Sequence, residues 1–135
     1  MTMVRRFYDE IMARGERSLN IETEAMPMRD FAGYSIGPHT DSPKRLITMM
    51  VYLSEDSDHG HVGRSFYAPK DPFTLAVGHT HHGFDKFEQV GTARYLPNSA
   101  FGFLRSDNSF HGVTPMQDEY QRDTVVYIVR HKQAA

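Results

Sequence analysis

Two histidines and one aspartate are the side chains of this sequence best suited to bind one metal ion together. His39 and Asp41 lie two residues apart in GPHTDSP, and in extended backbone this spacing directs both side chains to the same side. His111 lies far along the chain, in NSFHGVTP. Two imidazoles and one carboxylate leave several positions of an iron ion open, whereas structural zinc usually has four protein ligands. The three residues therefore favour a ferrous ion that also binds small molecules.

Each part of this pattern also has a simpler interpretation. The chain has 8 histidines, so a His-x-Asp triplet arises easily by chance. His39 and Asp41 would then belong only to a polar turn, and His111 would be a hydrogen-bonded residue of the core or its rim. The combination of the three residues, rather than the pair at 39 and 41, predicts the metal site.

A cationic side chain follows the second histidine on the last apolar segment. Arg122 begins the segment 122–130, and the turn-rich TPMQDEYQ before it lets the chain reverse, so Arg122 can lie on the strand beside His111. A guanidinium binds a carboxylate through two parallel hydrogen bonds and stays charged when buried. Arg122 could therefore bind a carboxylate ligand, or it could form an ion pair with a neighbouring Asp or Glu.

The motifs together resemble those of the 2-oxoglutarate- and iron(II)-dependent oxygenases, in particular the prolyl-hydroxylase-like branch. The resemblance covers residues 31 to about 130 and is carried by YSIGPHTDSP (34–43), RLITMMVYL (45–53), FHGVTP (110–115) and RDTVVYIVR (122–130). It implies a double-stranded β-helix, which is a cupin-like jelly roll. It also implies a hydroxylase that uses Fe(II), O₂ and 2-oxoglutarate, releases succinate and CO₂, and is stimulated by ascorbate.

The resemblance assigns roles to individual residues. It implies that His39, Asp41 and His111 bind the iron and that Arg122 binds the far carboxylate of 2-oxoglutarate. The remaining co-substrate contacts that it implies are Thr124 as a hydroxyl partner, Tyr52 as a further hydrogen-bond donor, and Met50 and Leu46 as lining residues. Tyr34 is a further candidate for the pocket, as a substrate contact. The substrate is expected to be a peptide side chain or a small metabolite.

Eight short β segments must position these residues. Their two-residue periodicity and the turn-rich sequences between them predict an antiparallel sandwich or barrel. The predicted segments are 18–25, 31–37, 45–53, 62–68, 90–96, 100–105, 110–114 and 122–130. Ahead of them an amphipathic helix is predicted over 3–14, with Thr2 as N-cap and Gly15 as its end.

Two long loops, 55–64 and 69–88, interrupt the strands. The longer one, 69–88, is a candidate lid or substrate loop. The loops contain five histidines: His59, His61, His79, His81 and His82. These could simply be polar loop residues, His81 or His82 could contact substrate, or the cluster could bind a second metal ion. Arg105, with Arg45 and Arg64, could meet an anionic substrate, although each is also typical of a solvated strand edge.

Composition limits the remaining choices. The 135 residues fit a single domain, 1–135, with a jelly-roll core at about 18–131, and a net charge of −2 favours neither nucleic acid nor an anionic membrane as partner. The absence of cysteine excludes disulfides and thiolate metal sites and fits a cytoplasmic protein. The longest apolar run, 46–53, is too short for a membrane span, which needs about 20 residues. A homodimer is compatible with the sequence.

Two other functions remain open at this point. One is a cupin-type metal enzyme that does not use 2-oxoglutarate, since His59 and His61 imitate the first part of a cupin motif, although the next Glu is Glu88. The other is a non-catalytic jelly-roll module that binds a ligand or a protein. Such a module would need neither an iron site nor a carboxylate-binding arginine.

Overall fold

A computed structural model describes residues 3–13, 20–78, 80–117 and 119–132 and consists mainly of antiparallel strands. Helix α1 (Met3–Ala13) comes first, followed by eight strands. These are β1 (Ile21–Asp30), β2 (Ile36–His39), β3 (Arg45–Tyr52), β4 (Arg64–Pro69), β5 (Phe87–Ala93), β6 (Ser99–Leu104), β7 (His111–Val113) and β8 (Arg122–His131). Short 3₁₀ turns at Gly60–Val62 and Phe84–Lys86 precede β4 and β5.

The strands form two four-stranded sheets that face each other. One sheet has the order β1-β8-β3-β6 and the other β2-β7-β4-β5, and every pairing is antiparallel. Apart from the paired strands β4 and β5, consecutive strands therefore lie in opposite sheets, and their partners within a sheet are distant in the sequence. This is the double-stranded β-helix, or jelly roll, and it confirms the predicted fold class.

The core lies between the sheets and is built on the central strands β3 and β8. In β3, Leu46, Thr48, Met50 and Tyr52 are buried, and the residues between them are half-buried. In β8 the same alternation buries every second residue from Arg122 to Ile128. This alternation follows the two-residue periodicity of both segments, since side chains of a strand alternate between the two sides of a sheet.

Several element boundaries differ from the prediction for physical reasons. β1 continues past Pro27 to Asp30, because β1 is an edge strand that pairs with β8 alone among the described strands. A proline lacks the N–H needed for a second partner, so an edge strand tolerates it. β2 begins only at Ile36, because a turn with Gly33 at φ +83° precedes it. β5 begins at Phe87 rather than at residue 90, because Phe87 pairs with Pro69 at the end of β4.

The predicted helix over 3–14 is present as α1, one residue shorter. Ile11 is buried and Met12 is 39% exposed. The predicted caps at residues 2 and 15, and the side chains of the other apolar positions of that face, lie outside the described residues. Within the described part of the chain, no helix has both the length and the apolar character needed to cross a bilayer.

Candidate metal centre

The predicted metal ligands meet where two neighbouring strands of one sheet come together. His39 ends β2 and His111 begins β7, and the two residues are direct partners in the antiparallel register. Their ring centroids lie 4.4 Å apart. Asp41 follows β2 by two residues, and its carboxylate Oδ1 lies 3.7 Å from His111 Nε2. One ligand atom from each of the three buried side chains lies within 4.8 Å of the others, so one ion can contact all three.

Backbone carbonyls fix the orientation of both imidazoles. Nδ1 of His39 lies 2.9 Å from the carbonyl oxygen of Gly37, and Nδ1 of His111 lies 2.9 Å from that of Ser109. A neutral imidazole that donates from Nδ1 keeps the lone pair of Nε2 for a metal, and such outer contacts are usual for metal-binding histidines. Both rings therefore present Nε2 as the ligand atom.

Burial keeps the two histidines in the form that binds metal. Desolvation lowers the pKa of His39, and it lowers the pKa of His111 to about 4 even though the carboxylate of Asp41 acts in the opposite direction. The positive charge of Arg64 lowers both values further. The two imidazoles are therefore neutral at neutral pH.

Asp41 is held as an oriented carboxylate. Burial would raise its pKa, but the electrostatic interaction with His111, the hydrogen bond from Thr48 and the charge of Arg45 together lower it. Thr48 Oγ1 donates to Oδ2 at 2.5 Å, and Arg45 Nη1 donates to Oδ1 at 3.0 Å. Because a carboxylate offers about four acceptor positions, these bonds leave room for a metal. Two neutral imidazoles and one ionised carboxylate fit the ligand set of a non-haem iron(II) site.

The three ligands open into a cavity of about 340 Å³ between the sheets. Small-molecule sites usually have volumes of about 300–1,000 Å³. The lining residues come from both sheets and from the loops after β2 and β4: Met26, Met28, Tyr34, Ile36, His39, Asp41, Ser42, Arg45, Thr48, Met50, Arg64, Gly78, His81, Phe103, His111 and Val126. One side of a metal held by the ligands would thus face a space large enough for an organic molecule.

Five of the other candidate residues line this cavity: Tyr34, Arg45, Met50, Arg64 and His81. The ring of His81 lies 4.6 Å from that of His39. Leu46 and Tyr52 are buried in the core beside the cavity without lining it. Tyr52 uses its hydroxyl within the protein: it donates to the carbonyl oxygen of Ala93 at 3.0 Å and accepts from the backbone N–H of Arg64 at 2.8 Å.

Arg122 and Thr124 lie deeper than the cavity wall. Arg122 is fully buried, and its Nε donates to Asp30 Oδ2 at 3.0 Å while Nη2 donates to the same oxygen. Its Nη1 donates to the carbonyl oxygen of Val62 at 2.6 Å. The ion pair with a neighbouring acid, which the sequence left open, is therefore present. The hydroxyl of Thr124 is buried and has no hydrogen-bond partner among the described residues. The assignment of both residues to the co-substrate stays a prediction.

The loop between β4 and β5 lies against the metal ligands. The backbone N–H of His82 donates to the carbonyl oxygen of Pro38 at 2.9 Å, and Arg105 donates to the carbonyl oxygens of Asp41 at 3.1 Å and Ala76 at 2.9 Å. Gly78 has φ +79°, and a Cβ there would come within 2.7 Å of the Ser42 backbone. The sequence predicted that 69–88 is a lid or substrate loop, with His82 and Arg105 among the candidate substrate contacts. In the structure, these two residues hold the loop through hydrogen bonds and do not line the cavity.

The other loop histidines lie apart from this site. His59 stacks on Tyr120 with ring centroids 3.7 Å apart, and its Nδ1 lies 2.9 Å from Asp56 Oδ1. His61 is exposed, and His79 lies outside the described residues. Among the residues that the structure describes, His39, Asp41 and His111 form the one group of three close metal ligands.

Thr48 is a functional candidate that the sequence did not single out, and Arg64 was named only as one of three arginines that could meet an anionic substrate. Thr48 lies on the same buried face of β3 as Met50, which the two-residue periodicity of the strand makes possible to predict. The hydrogen bond from Thr48 to Asp41 could not be predicted from that periodicity. Arg64 was grouped with possible edge charges. It is instead buried, 8% exposed, and lines the cavity.

We expect Thr48→Val to weaken metal binding about 10- to 100-fold, the usual cost of losing a group that orients a metal ligand. The fold should persist, because valine has nearly the same shape. Thr48→Ser, which keeps the hydroxyl, is the matched control and should bind metal almost as well as the parent protein. Competitive titration of Ni(II) with a chromophoric chelator measures both. Equal affinity in the valine variant would show that Thr48 does not support Asp41.

Comparison with known proteins agrees with this fold. No family model matches the chain, and no curated protein sequence matches it. Solved structures with a similar fold do match the chain. A prolyl-4-hydroxylase from Pseudomonas putida has a TM-score of 0.57 and 16% sequence identity, over 95% of this chain and 64% of that one. HygX from Streptomyces hygroscopicus, with nickel and 2-oxoglutarate bound, has a TM-score of 0.52 and 14% identity, over 94% and 66%.

A third similar structure is a prolyl hydroxylase from Trichoplax adhaerens in complex with a hypoxia inducible factor peptide fragment. It has a TM-score of 0.55 and 15% identity, over 95% of this chain and 55% of that one. The chain thus spans somewhat less than two thirds of the length of these three structures. The fold is that of the prolyl-hydroxylase-like 2-oxoglutarate and iron(II) oxygenases, and the resemblance that the sequence motifs indicated is confirmed at the level of the fold.

Proposed function

We propose that this chain is an iron(II)- and 2-oxoglutarate-dependent dioxygenase that hydroxylates a peptide side chain or a small metabolite. The observation that carries the proposal is the convergence of His39, Asp41 and His111 on one point at the wall of a cavity inside a jelly roll. The ligands leave open positions on the side of the cavity, which is what chemistry on O₂ and a bound organic co-substrate requires.

Each residue of the site has a definite task in this proposal. The Nε2 atoms of His39 and His111 and one oxygen of Asp41 would hold the iron. Thr48 and Arg45 keep the carboxylate turned toward the histidines. The iron, when bound with 2-oxoglutarate and O₂, supplies an oxidant strong enough to hydroxylate a C–H bond, while succinate and CO₂ are released.

The cavity walls separate the reacting groups from bulk water. Met26, Met28 and Val126 from the β1 and β8 side, and Phe103 from β6, provide apolar surface around the three ligands. Excluding water limits side reactions of an oxidising centre. Tyr34 and His81 add polar groups to the wall and are the proposed substrate contacts. The similar structures include prolyl hydroxylases, one of them with a peptide bound, so peptides that contain proline belong first in a substrate screen.

The test is the formation of succinate by the purified chain with Fe(II), ascorbate and 2-oxoglutarate, with and without candidate substrates. We expect succinate only when iron and 2-oxoglutarate are both present, and more of it when the correct substrate is added. Substrate oxidation that does not need 2-oxoglutarate would favour a cupin-type enzyme. Binding of metal and 2-oxoglutarate with no succinate from any peptide, amino acid or metabolite tested would favour a binding module.

A further inference from the structure

A buried arginine without an anionic partner lines the candidate site. Arg64 begins β4, and its neighbours Ser65 and Phe66 pair with Gly112 and His111 of β7. Arg64 is 8% exposed, its Nε has no hydrogen-bond partner, and no carboxylate of the described residues forms an ion pair with it. A buried unpaired charge is costly, so proteins rarely keep one without a ligand or counter-ion.

The other arginines near the cavity are already engaged. Arg45 donates to the carboxylate of Asp41, and Arg105 donates to two backbone carbonyls and to Asp107. Arg122 is bound by Asp30 and the carbonyl oxygen of Val62 and does not line the cavity. Of these four cations, Arg64 is the one that both lines the cavity and lacks an anionic partner.

Arg64 also interacts electrostatically with both Arg122 and the metal ligands. Burial lowers the pKa of Arg64, and the charge of Arg122 lowers it further. The charge of Arg64 in turn lowers the pKa of both His39 and His111. Arg64 is therefore within electrostatic range of the metal ligands, and it lines the same cavity as they do.

Resting on the function proposed above, we propose that Arg64 directly binds the far carboxylate of 2-oxoglutarate. Arg122 then acts as a positioning residue, since it holds the carbonyl of Val62 in the turn that leads into Arg64. Tyr52 acts in the same way, since its hydroxyl accepts from the backbone N–H of Arg64. Arg122 and Tyr52, two of the co-substrate contacts that the motifs suggested, thus hold the start of β4 in place.

The test separates the far carboxylate from the rest of the co-substrate. 2-Oxopentanoate keeps the chelating 2-oxo acid but has a methyl group where 2-oxoglutarate has its far carboxylate. Binding of each acid to the Ni(II)-loaded chain is measured by calorimetry, without turnover. We expect the parent protein to prefer 2-oxoglutarate, and Arg64→Met to weaken 2-oxoglutarate binding at least about 30-fold. The affinity of the same variant for 2-oxopentanoate should stay within about threefold, an allowance for context.

Two further variants make the result specific. Arg64→Lys keeps the charge and should retain part of the preference for 2-oxoglutarate. The double variant Asp30→Asn/Arg122→Met removes the buried ion pair as a unit and should keep more of the preference than Arg64→Met does. Without ligand, Arg64→Met should melt at the same temperature as the parent protein or higher, because it removes an uncompensated buried charge.

The outcomes are distinguishable. A preference that survives in Arg64→Met but disappears in the double variant would assign the carboxylate to Arg122 and overturn the proposal. So would equal weakening of both acids in Arg64→Met, since that would mean a damaged site. If the parent protein binds Ni(II) but neither acid, the proposed function itself fails.

Discussion

Replacing His111 with alanine is expected to abolish specific iron binding and, with it, the formation of succinate. His111 is one of the three proposed ligands and is 3% exposed, and these three residues are the one group of close metal ligands among the described residues. Residues that only orient a ligand contribute about 10- to 100-fold to metal affinity, so removal of the ligand itself should cost more than that. Anaerobic Fe(II) titration and a succinate assay measure the two effects.

The control for this variant must distinguish a lost ligand from a lost fold. His111→Gln keeps most of the volume of the buried side chain and should lose metal binding as well, with a melting temperature near that of the parent protein. His61→Ala removes an exposed histidine outside the cavity and should leave both metal binding and turnover unchanged. Undiminished succinate formation by His111→Ala would remove His111 from the ligand set.

Replacing Arg122 with methionine is expected to destabilise the protein by about 3–5 kcal/mol, the usual cost of breaking a buried ion pair from one side. The cost arises because the carboxylate of Asp30, 5% exposed, would lose its partner. Restoring neutrality with Asp30→Asn/Arg122→Met should recover part of the loss. Urea unfolding followed by circular dichroism measures the free energies.

The next pair on the same two strands is a matched control. Arg29 and Asp123 are neighbours of Asp30 and Arg122 in the register of β1 and β8, and they form an ion pair at 2.7 Å with the arginine 56% exposed. Surface pairs of this kind contribute little, so Arg29→Met should change stability far less than Arg122→Met. Equal effects of the two variants would show that burial does not decide the strength of the Arg122 pair.

Local patterns predicted most of the fold. The two-residue periodicity of 45–53 and 122–130 correctly indicated strands, because β3 and β8 are central and bury one face against the opposite sheet. The boundaries of β1 and β2 were predicted less accurately. The predicted segment 18–25 stopped too early, because an edge strand tolerates Pro27 and continues to Asp30. The predicted segment 31–37 began too early, because the turn at Gly33 precedes β2.

Contacts between residues distant in sequence explain what the patterns missed. Asp30 lies 92 residues from Arg122 in the sequence, so no local pattern predicted the ion pair between the carboxylate of Asp30 and the guanidinium of Arg122. Arg64 and Arg105 looked alike in the sequence, but the sheet register buried the first beside β7 and left the second to hold a loop. His81 and His82 were equally plausible, and the backbone bond from His82 to Pro38 directs only His81 into the cavity.

The most direct measurement is the anomalous scattering from a crystal of the chain grown with Mn(II) and 2-oxoglutarate. We expect one strong metal peak bound by Nε2 of His39, Nε2 of His111 and an oxygen of Asp41, with the 2-oxo acid chelated to the same ion on the side of the cavity. A peak bound elsewhere, for example at His59 and His61, or three side chains with no ion between them at saturating metal, would contradict the assignment of this site.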